Sequence, residues 1–350
     1  MATASHFSRS LSCWRLIAAP QEPLPEAALA ALPDWSVRLA DFLGPALAAA
    51  LTEPAAQALG APPIDPATAE RSRQLNRYAR AAQEACLARI AEAGIACVAI
   101  KGFALARQIY GDPDLRTTGD LDLVVRAGER NALLDLLSRE GFAFRPEPAK
   151  PWGFIADASY APFVSADGGV TLDIHVQPDS YPLHLGLDCE TLFAAARQGP
   201  NCLLPAPSHS FLLLASNAAK DKFAPLAVKK FVDALIQLRS GEELDWEEIF
   251  VRAGRARLTG PLAVFLRLLS RLGGTVPEGY RAHETQGREF ARALRPLAAL
   301  DSRAQLGPAA LIRREVLLSA EPRVAARNLW LRARGLLRPR GALPPGWTVS

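Results

Sequence analysis

Two aspartates, Asp120 and Asp122, stand one residue apart inside the segment GDLDLVV, which is otherwise mostly apolar. Residues i and i+2 of a strand project from the same face, which would bring the two Cα atoms to roughly 6.5 Å from each other. Two carboxylates that close are costly to bury unless a cation compensates them. Mg²⁺ takes carboxylate and phosphate oxygens and is often shared with a nucleotide, so we interpret the pair as metal ligands.

A third carboxylate is found farther along the chain, in the segment VTLDIHV. Asp173 lies there between apolar residues of a predicted strand, and His175 shares its face. If this strand lies beside the segment 121–125, three carboxylates converge. Two metal ions held by them could activate an attacking hydroxyl and neutralise a leaving pyrophosphate. For His175 the alternative is a packed, hydrogen-bonded structural residue.

Lys101 and Gly102 stand where a predicted strand turns into a helix. A glycine at this point lets backbone N–H groups approach a phosphate, and the helix N-terminus favours the same anion. Lys101 could add a positive charge beside a triphosphate, and Arg116 could contact a phosphate or the second substrate. Alternatively, Lys101 and Arg116 only neutralise the three carboxylates from outside, and Gly102 only begins a helix.

Lysines on a predicted helix pair after residue 208 offer further positive charge. Of these, Lys220 and Lys230 are candidates for contact with a triphosphate. Charged residues on helices are more often a solvated face, which is the alternative for both.

Apolar spacing predicts the elements that position these residues. Helices are expected at 66–94, 103–110 and 129–140, and strands at 95–101, 121–125, 160–165 and 170–176. Proline-separated short helices precede them, and a series of helices follows. We therefore predict an α+β fold with a small mixed sheet flanked by helices, N-terminal helices and a C-terminal helical domain. The expected segments are 1–66, 67–182 and 183–340.

Composition narrows the classes of protein. The chain has 350 residues, a net charge of +4 and five cysteines without metal-binding spacing. So small a net charge does not by itself argue for nucleic acid as a partner. Scattered cysteines favour reduced thiols, and the absence of a long apolar run favours a chain without a membrane span. We expect a cytoplasmic protein.

The order of these motifs resembles the polymerase-β-like nucleotidyltransferase superfamily. The segments KGFALARQIYGDPDLRTTGDLDLVV, TLDIHV and LPAPSHSFLLLASNAAKDKF are similar to an uncharacterised bacterial nucleotidyltransferase family of that superfamily. The resemblance covers about residues 70 to 275. Where that superfamily usually has Gly-Ser after the first strand, this chain has Lys101-Gly102.

The resemblance implies a nucleotidyltransferase core at 67–182, Mg²⁺ and an NTP donor. It further implies Asp120, Asp122 and Asp173 as metal carboxylates and Gly102 as the phosphate-loop glycine. The acceptor is left open among small molecules, peptides and proteins, with nucleic acid less favoured. The alternative is a non-catalytic accessory protein that keeps the fold and binds a nucleotide or peptide.

Overall fold

The computed structural model describes residues 2–144, 159–179, 182–277, 287–304, 307–318 and 321–336. Helices before the sheet are α1 (Ala2–Cys13), α2 (Arg15–Ala18), α3 (Glu26–Leu29), α4 (Leu32–Leu43), α5 (Pro45–Leu59) and α6 (Pro66–Glu92). The strands are β1 (Cys97–Ile100), β2 (Leu121–Val125), β3 (Ala143–Phe144), β4 (Ser159–Val164), β5 (Thr171–His175), β6 (Arg197–Gln198) and β7 (Leu203–Leu204).

Further helices connect the strands and follow them. Those between strands are α7 (Lys101–Gln108), α8 (Arg130–Arg139) and α9 (Cys189–Ala194). Those after the sheet are α10 (Pro207–Lys220), α11 (Val228–Arg239), α12 (Trp246–Arg255), α13 (Thr259–Arg271), α14 (Gly287–Ala299), α15 (Pro308–Leu318) and α16 (Pro322–Leu336).

The long helix α6 is bounded by local signals. The side chain of Asp65 accepts a hydrogen bond from the Thr68 backbone N–H at 2.9 Å, and Pro66 occupies the first helical position. At the other end Gly94 adopts a φ of +73°, the left-handed conformation that commonly terminates helices. The helix therefore ends just before β1 begins at Cys97.

The strands form one mixed sheet in the order β3-β4-β5-β2-β1-β7-β6. At its centre β2 pairs with β1 antiparallel and with β5 parallel. The register sets Asp122 opposite Ile100 on one side and opposite Asp173 on the other. The two strands that carry the predicted acidic residues are therefore immediate neighbours.

Side-chain alternation divides the sheet between two apolar clusters. Leu121 and Leu123 belong to the cluster that packs against α6 and α8. Val98 and Val124 belong to the larger cluster, which contains most of the helical core. Asp122 alternates with Leu121 and Leu123, so its side chain is on the face toward the helical core.

The N-terminal helices share that larger core with the helices after the sheet. Trp14 packs edge-on against Trp35 with ring centroids 6.1 Å apart, and its indole N–H donates to the carbonyl oxygen of Ala298 at 3.2 Å. A buried indole needs such a partner. The N-terminal helices are thus joined to α14, and the expected division into three segments stays a prediction.

The predicted α+β class is confirmed, with N-terminal and C-terminal helices around a mixed sheet. Strand β2 has the predicted bounds. Helix α7 begins at Lys101, two residues earlier than expected, and Lys101 has a φ of +54° at this junction. Among the described residues, no helix combines the length and apolar character needed to cross a membrane.

Candidate active site

Three side chains from β2 and β5 meet at one point. Asp122, Asp173 and His175 each offer one ligand atom, and these atoms lie within 4.8 Å of one another. His175 Nε2 is 3.0 Å from Asp122 Oδ1 and 3.5 Å from Asp173 Oδ2. Asp122 and His175 are each 3% exposed, whereas Asp173 is half-buried. We call these three residues the acidic cluster.

Two atoms of the acidic cluster have no hydrogen-bond partner. Asp173 Oδ1 and His175 Nδ1 are both buried and unpaired among the described residues. A buried polar atom without a partner is destabilising unless something else satisfies it. A carboxylate oxygen in this state suits a hard divalent cation such as Mg²⁺ or Mn²⁺. The residues present therefore fit a metal ion.

Asp120 lies directly before β2 and is exposed. It is not one of the three residues of the acidic cluster. The negative charge of Asp122, and to a lesser extent the surrounding protein, raises the pKa of the Asp120 carboxyl above its usual value. Asp120 is therefore close enough to share the local field, and its role as a metal ligand stays a prediction.

Lys101 connects the start of α7 to the acidic cluster. Its ammonium forms an ion pair with Asp122 Oδ1, the same atom that contacts His175. Burial opposes the ammonium charge, but the carboxylates of Asp122, Asp173 and Asp179 outweigh it and raise the pKa of Lys101. The lysine is thus held in its charged form.

Gly102 is packed against Arg116. A Cβ atom built on Gly102 would lie 3.0 Å from Nη1 of Arg116, so a larger residue would crowd the guanidinium. This close approach is a packing reason for glycine at this position. The predicted phosphate contact through the backbone is an independent reason and stays a prediction.

Arg116 is fixed by helix α11. Its Nε and Nη2 donate to the two carboxylate oxygens of Asp233 at 2.8 and 2.6 Å, and the Tyr110 hydroxyl donates to the same carboxylate at 2.6 Å. Burial opposes the charge of Arg116, yet Asp233 raises its pKa. We call Tyr110, Arg116 and Asp233 the arginine triad. The predicted phosphate contact of Arg116 is untested by this pairing.

The two candidate lysines of the helix pair both have acidic partners. Lys220 donates to Asp179 Oδ1 at 2.9 Å, and Ser216 donates to the other oxygen of that carboxylate at 2.7 Å. Lys230 forms an ion pair with Asp221. Lys229 makes no hydrogen bond or ion pair with the described residues, and burial lowers its pKa.

A cavity of about 380 Å³ opens beside the acidic cluster. Its lining is apolar along one part and basic along another, and it comes from α4, α7, α10, the turn between α10 and α11, α11, and the segment before β2. The lining residues are Asp41, Phe42, Lys101, Leu105, Arg116, Ser210, Leu213, Leu214, Asn217, Leu226, Lys229, Lys230 and Asp233. A space of this size with a few charged groups is typical of a small-molecule site.

A protein-family model described as an uncharacterised nucleotidyltransferase matches residues 45–274. The chain belongs to this family. The matched part of the chain contains α5 to α13, and with them the acidic cluster and nearly all of the cavity lining. No curated protein and no solved structure matches the chain.

Sequence reasoning did not select Asp179, and it named Lys229 only as one of several lysines on the helix pair. Asp179 follows β5 in a loop and resembles any turn aspartate until its buried contacts with Ser216 and Lys220 are known. Lys229 stands beside Lys230 on a helix with several charges, and only the packing shows which of the two lacks a partner. No local pattern distinguishes these residues.

Proposed function

We propose that the protein is a Mg²⁺-dependent nucleotidyltransferase that transfers a nucleoside monophosphate from an NTP to an acceptor hydroxyl. The observation that carries this proposal is the pair Asp122 and Asp173, set side by side with one buried carboxylate oxygen unpaired. Membership of a nucleotidyltransferase family and the adjacent lysine-lined cavity support it.

In this proposal Asp120, Asp122 and Asp173 hold Mg²⁺, and we expect two ions. When bound, Mg²⁺ neutralises phosphate charge and lowers the pKa of a nearby hydroxyl. His175 Nε2 lies against Asp122 and Asp173 at 3.0 and 3.5 Å, and thereby orients both carboxylates.

The nucleotide's phosphates are expected at the basic part of the cavity. Lys101 and the backbone of Gly102 lie at the start of α7, where a helix N-terminus favours an anion. Arg116 is presented by Asp233 and lines the same cavity. Lys220 and Lys230 contribute positive charge from α10 and α11.

The bond changes are those of an in-line substitution at the α-phosphorus. The acceptor oxygen forms a bond to the α-phosphorus, the bond to the β-phosphate oxygen breaks, and pyrophosphate leaves with that electron pair. The hydroxyl proton passes to the carboxylate of Asp173, the half-buried member of the acidic cluster. Charge and atoms balance without a further reactant.

The acceptor is proposed to be a small molecule, a peptide or a protein side chain. The net charge of +4 is weak for a nucleic-acid partner, which we therefore place behind these classes. We further propose a cytoplasmic location, consistent with five buried, unpaired cysteines.

Pyrophosphate release tests the proposed function. The protein is incubated with each NTP, beginning with ATP, and with Mg²⁺ or Mn²⁺ and a panel of hydroxyl-bearing acceptors. We expect metal-dependent release that Asp122→Asn abolishes. Asp135→Asn, which changes an exposed carboxylate on α8, is the matched control and should behave as wild type. Nucleotide binding without release for any acceptor would favour the accessory-protein alternative.

A further inference from the structure

The acidic cluster already contains a positive charge supplied by the chain. The Lys101 ammonium and His175 Nε2 both contact Oδ1 of Asp122, a carboxylate that is 3% exposed. The negative charges of Asp173 and Asp179 also favour the charged form of Lys101. A lysine ammonium paired with the most buried carboxylate of the cluster compensates the same charge that a divalent ion would compensate.

The backbone of Lys101 is in a conformation that side chains rarely adopt. Its φ is +54°, in the left-handed region where glycine is favoured. Such residues cluster at functional sites, where the surrounding structure holds them in place. Lys101 is also the junction between β1 and α7, so its ammonium is supplied from a point fixed by two buried elements.

Lys101 faces two environments. Its ammonium contacts the acidic cluster, and the residue also lines the cavity together with Lys229, which makes no ion pair with the described residues. The side chain of Lys101 is 25% exposed, so it retains access to that cavity. A long, flexible lysine can exchange one anionic partner for another at a short distance.

We propose that Lys101 is an internal counter-cation that competes with the divalent ion for Asp122 and moves to the phosphates of the NTP. This inference rests on the proposed function. It means that the free protein binds a divalent ion weakly, and that nucleotide and metal strengthen each other's binding. By linkage, the factor by which nucleotide tightens metal binding equals the factor by which metal tightens nucleotide binding.

Titration with Mn²⁺ alone tests the inference, because it measures metal binding without turnover. Free Mn²⁺ is followed by electron paramagnetic resonance with the full-length protein and with Lys101→Met, which keeps a long side chain and removes the charge. We expect the variant to bind Mn²⁺ at least about tenfold more tightly than wild type, since a competing positive charge is gone. Equal or weaker binding by the variant overturns the inference.

A control variant separates a local effect from a change in net charge. Arg89 lies on α6, outside the acidic cluster, and forms an ion pair with Glu140. Arg89→Met removes this one positive charge. Its Mn²⁺ affinity should equal that of wild type. If Arg89→Met tightens Mn²⁺ binding as much as Lys101→Met does, the competition is not specific to Lys101 and the inference is overturned.

A second variant keeps the test decisive if Lys101→Met does not fold. Lys101→Gly removes the charge and accepts a φ of +54° without strain, so it should fold if Lys101→Met does not. We expect Mn²⁺ to raise the melting temperature of either variant more than that of wild type. A smaller or equal rise in a folded variant contradicts the inference.

The outcomes also distinguish this inference from the proposed function. If wild type and Lys101→Met bind Mn²⁺ equally and Asp122→Asn binds none, the metal site stands and only the role of Lys101 fails. If none of the proteins binds Mn²⁺, with or without ATP, the metal site itself fails, and both proposals fail with it.

Discussion

The acidic cluster and the arginine triad both bury charge, and they do so in opposite ways. In the arginine triad, each oxygen of Asp233 accepts from Arg116, and Tyr110 supplies a further donor. In the acidic cluster, Asp173 Oδ1 and His175 Nδ1 are buried without a partner. A satisfied network stabilises a fold, whereas an incomplete one is retained where a ligand completes it.

The two regions also differ in what they connect. The arginine triad links the segment before β2 to α11, which lies more than 100 residues farther along the chain. The acidic cluster lies on two adjacent strands whose register already aligns its carboxylates. Substitutions in the arginine triad should therefore mainly lower the stability of the fold. Substitutions in the acidic cluster should mainly lower activity.

Asp173→Asn should separate activity from stability most strongly. We expect pyrophosphate release to fall by about 10³-fold, the magnitude for losing one preorganised electrostatic group in an active site. The free energy of unfolding should change by less than about 1 kcal/mol, since one oxygen of Asp173 has no partner to lose. Steady-state kinetics and urea unfolding measure the two quantities. A large loss of stability with little loss of activity would reverse the assignment of the acidic cluster.

Asp233→Ala should have the largest effect on stability. Arg116 would be left buried and unpaired, so we expect a loss of about 3–5 kcal/mol in the free energy of unfolding. Glu140→Ala, which breaks an exposed ion pair with Arg89, is the comparison and should cost less than about 1 kcal/mol. Similar losses in the two variants would show that the arginine triad is no stronger than a surface pair.

Replacing the charged pair of the arginine triad by apolar residues should restore part of this stability. The double variant Arg116→Met/Asp233→Leu leaves no buried charge without a partner. We therefore expect it to recover at least about half of the unfolding free energy that the single substitution at Asp233 removes. Urea unfolding of the single and double variants forms the cycle. If the double variant is folded but binds ATP more weakly than wild type, Arg116 contributes to nucleotide binding; unchanged ATP affinity would contradict that predicted role.

Asp179→Asn should produce a smaller effect, visible as a change in pH dependence. Burial opposes the charge of Asp179, but Lys220 and Lys101 lower the pKa of its carboxyl. A carboxyl with a lowered folded-state pKa adds stability above its unfolded pKa of about 3.9, and this stability is lost as pH falls through the folded value. The free energy of unfolding of the variant should therefore fall less than that of wild type as the pH is lowered from about 5. Parallel acid-unfolding curves would contradict this.

Much of the acidic cluster could be predicted from local patterns. The alternation in LDLVV defined β2 to the residue, and Asp173 in an apolar strand indicated a partner for Asp122. Both inferences depend only on the two-residue period of a strand. The family resemblance drawn from the same segments agrees with the family match over residues 45–274.

The contacts of the basic residues could not be predicted in this way. Arg116 and Asp233 are 117 residues apart, and the pairing of Lys220 with Asp179 depends on how α10 packs over a loop. A charged residue has no local signal for its distant partner. The same holds for Lys101, whose left-handed backbone and contact with Asp122 emerge only from the packed strand-to-helix junction.

Anomalous diffraction from crystals grown with Mn²⁺ and ATP tests most directly whether Asp122 and Asp173 bind a metal ion beside the nucleotide. We expect an anomalous peak in contact with the carboxylates of Asp122 and Asp173, with ATP phosphates beside it in the lysine-lined cavity. Bound ATP with no peak at these two carboxylates, or with its manganese held elsewhere, would contradict it.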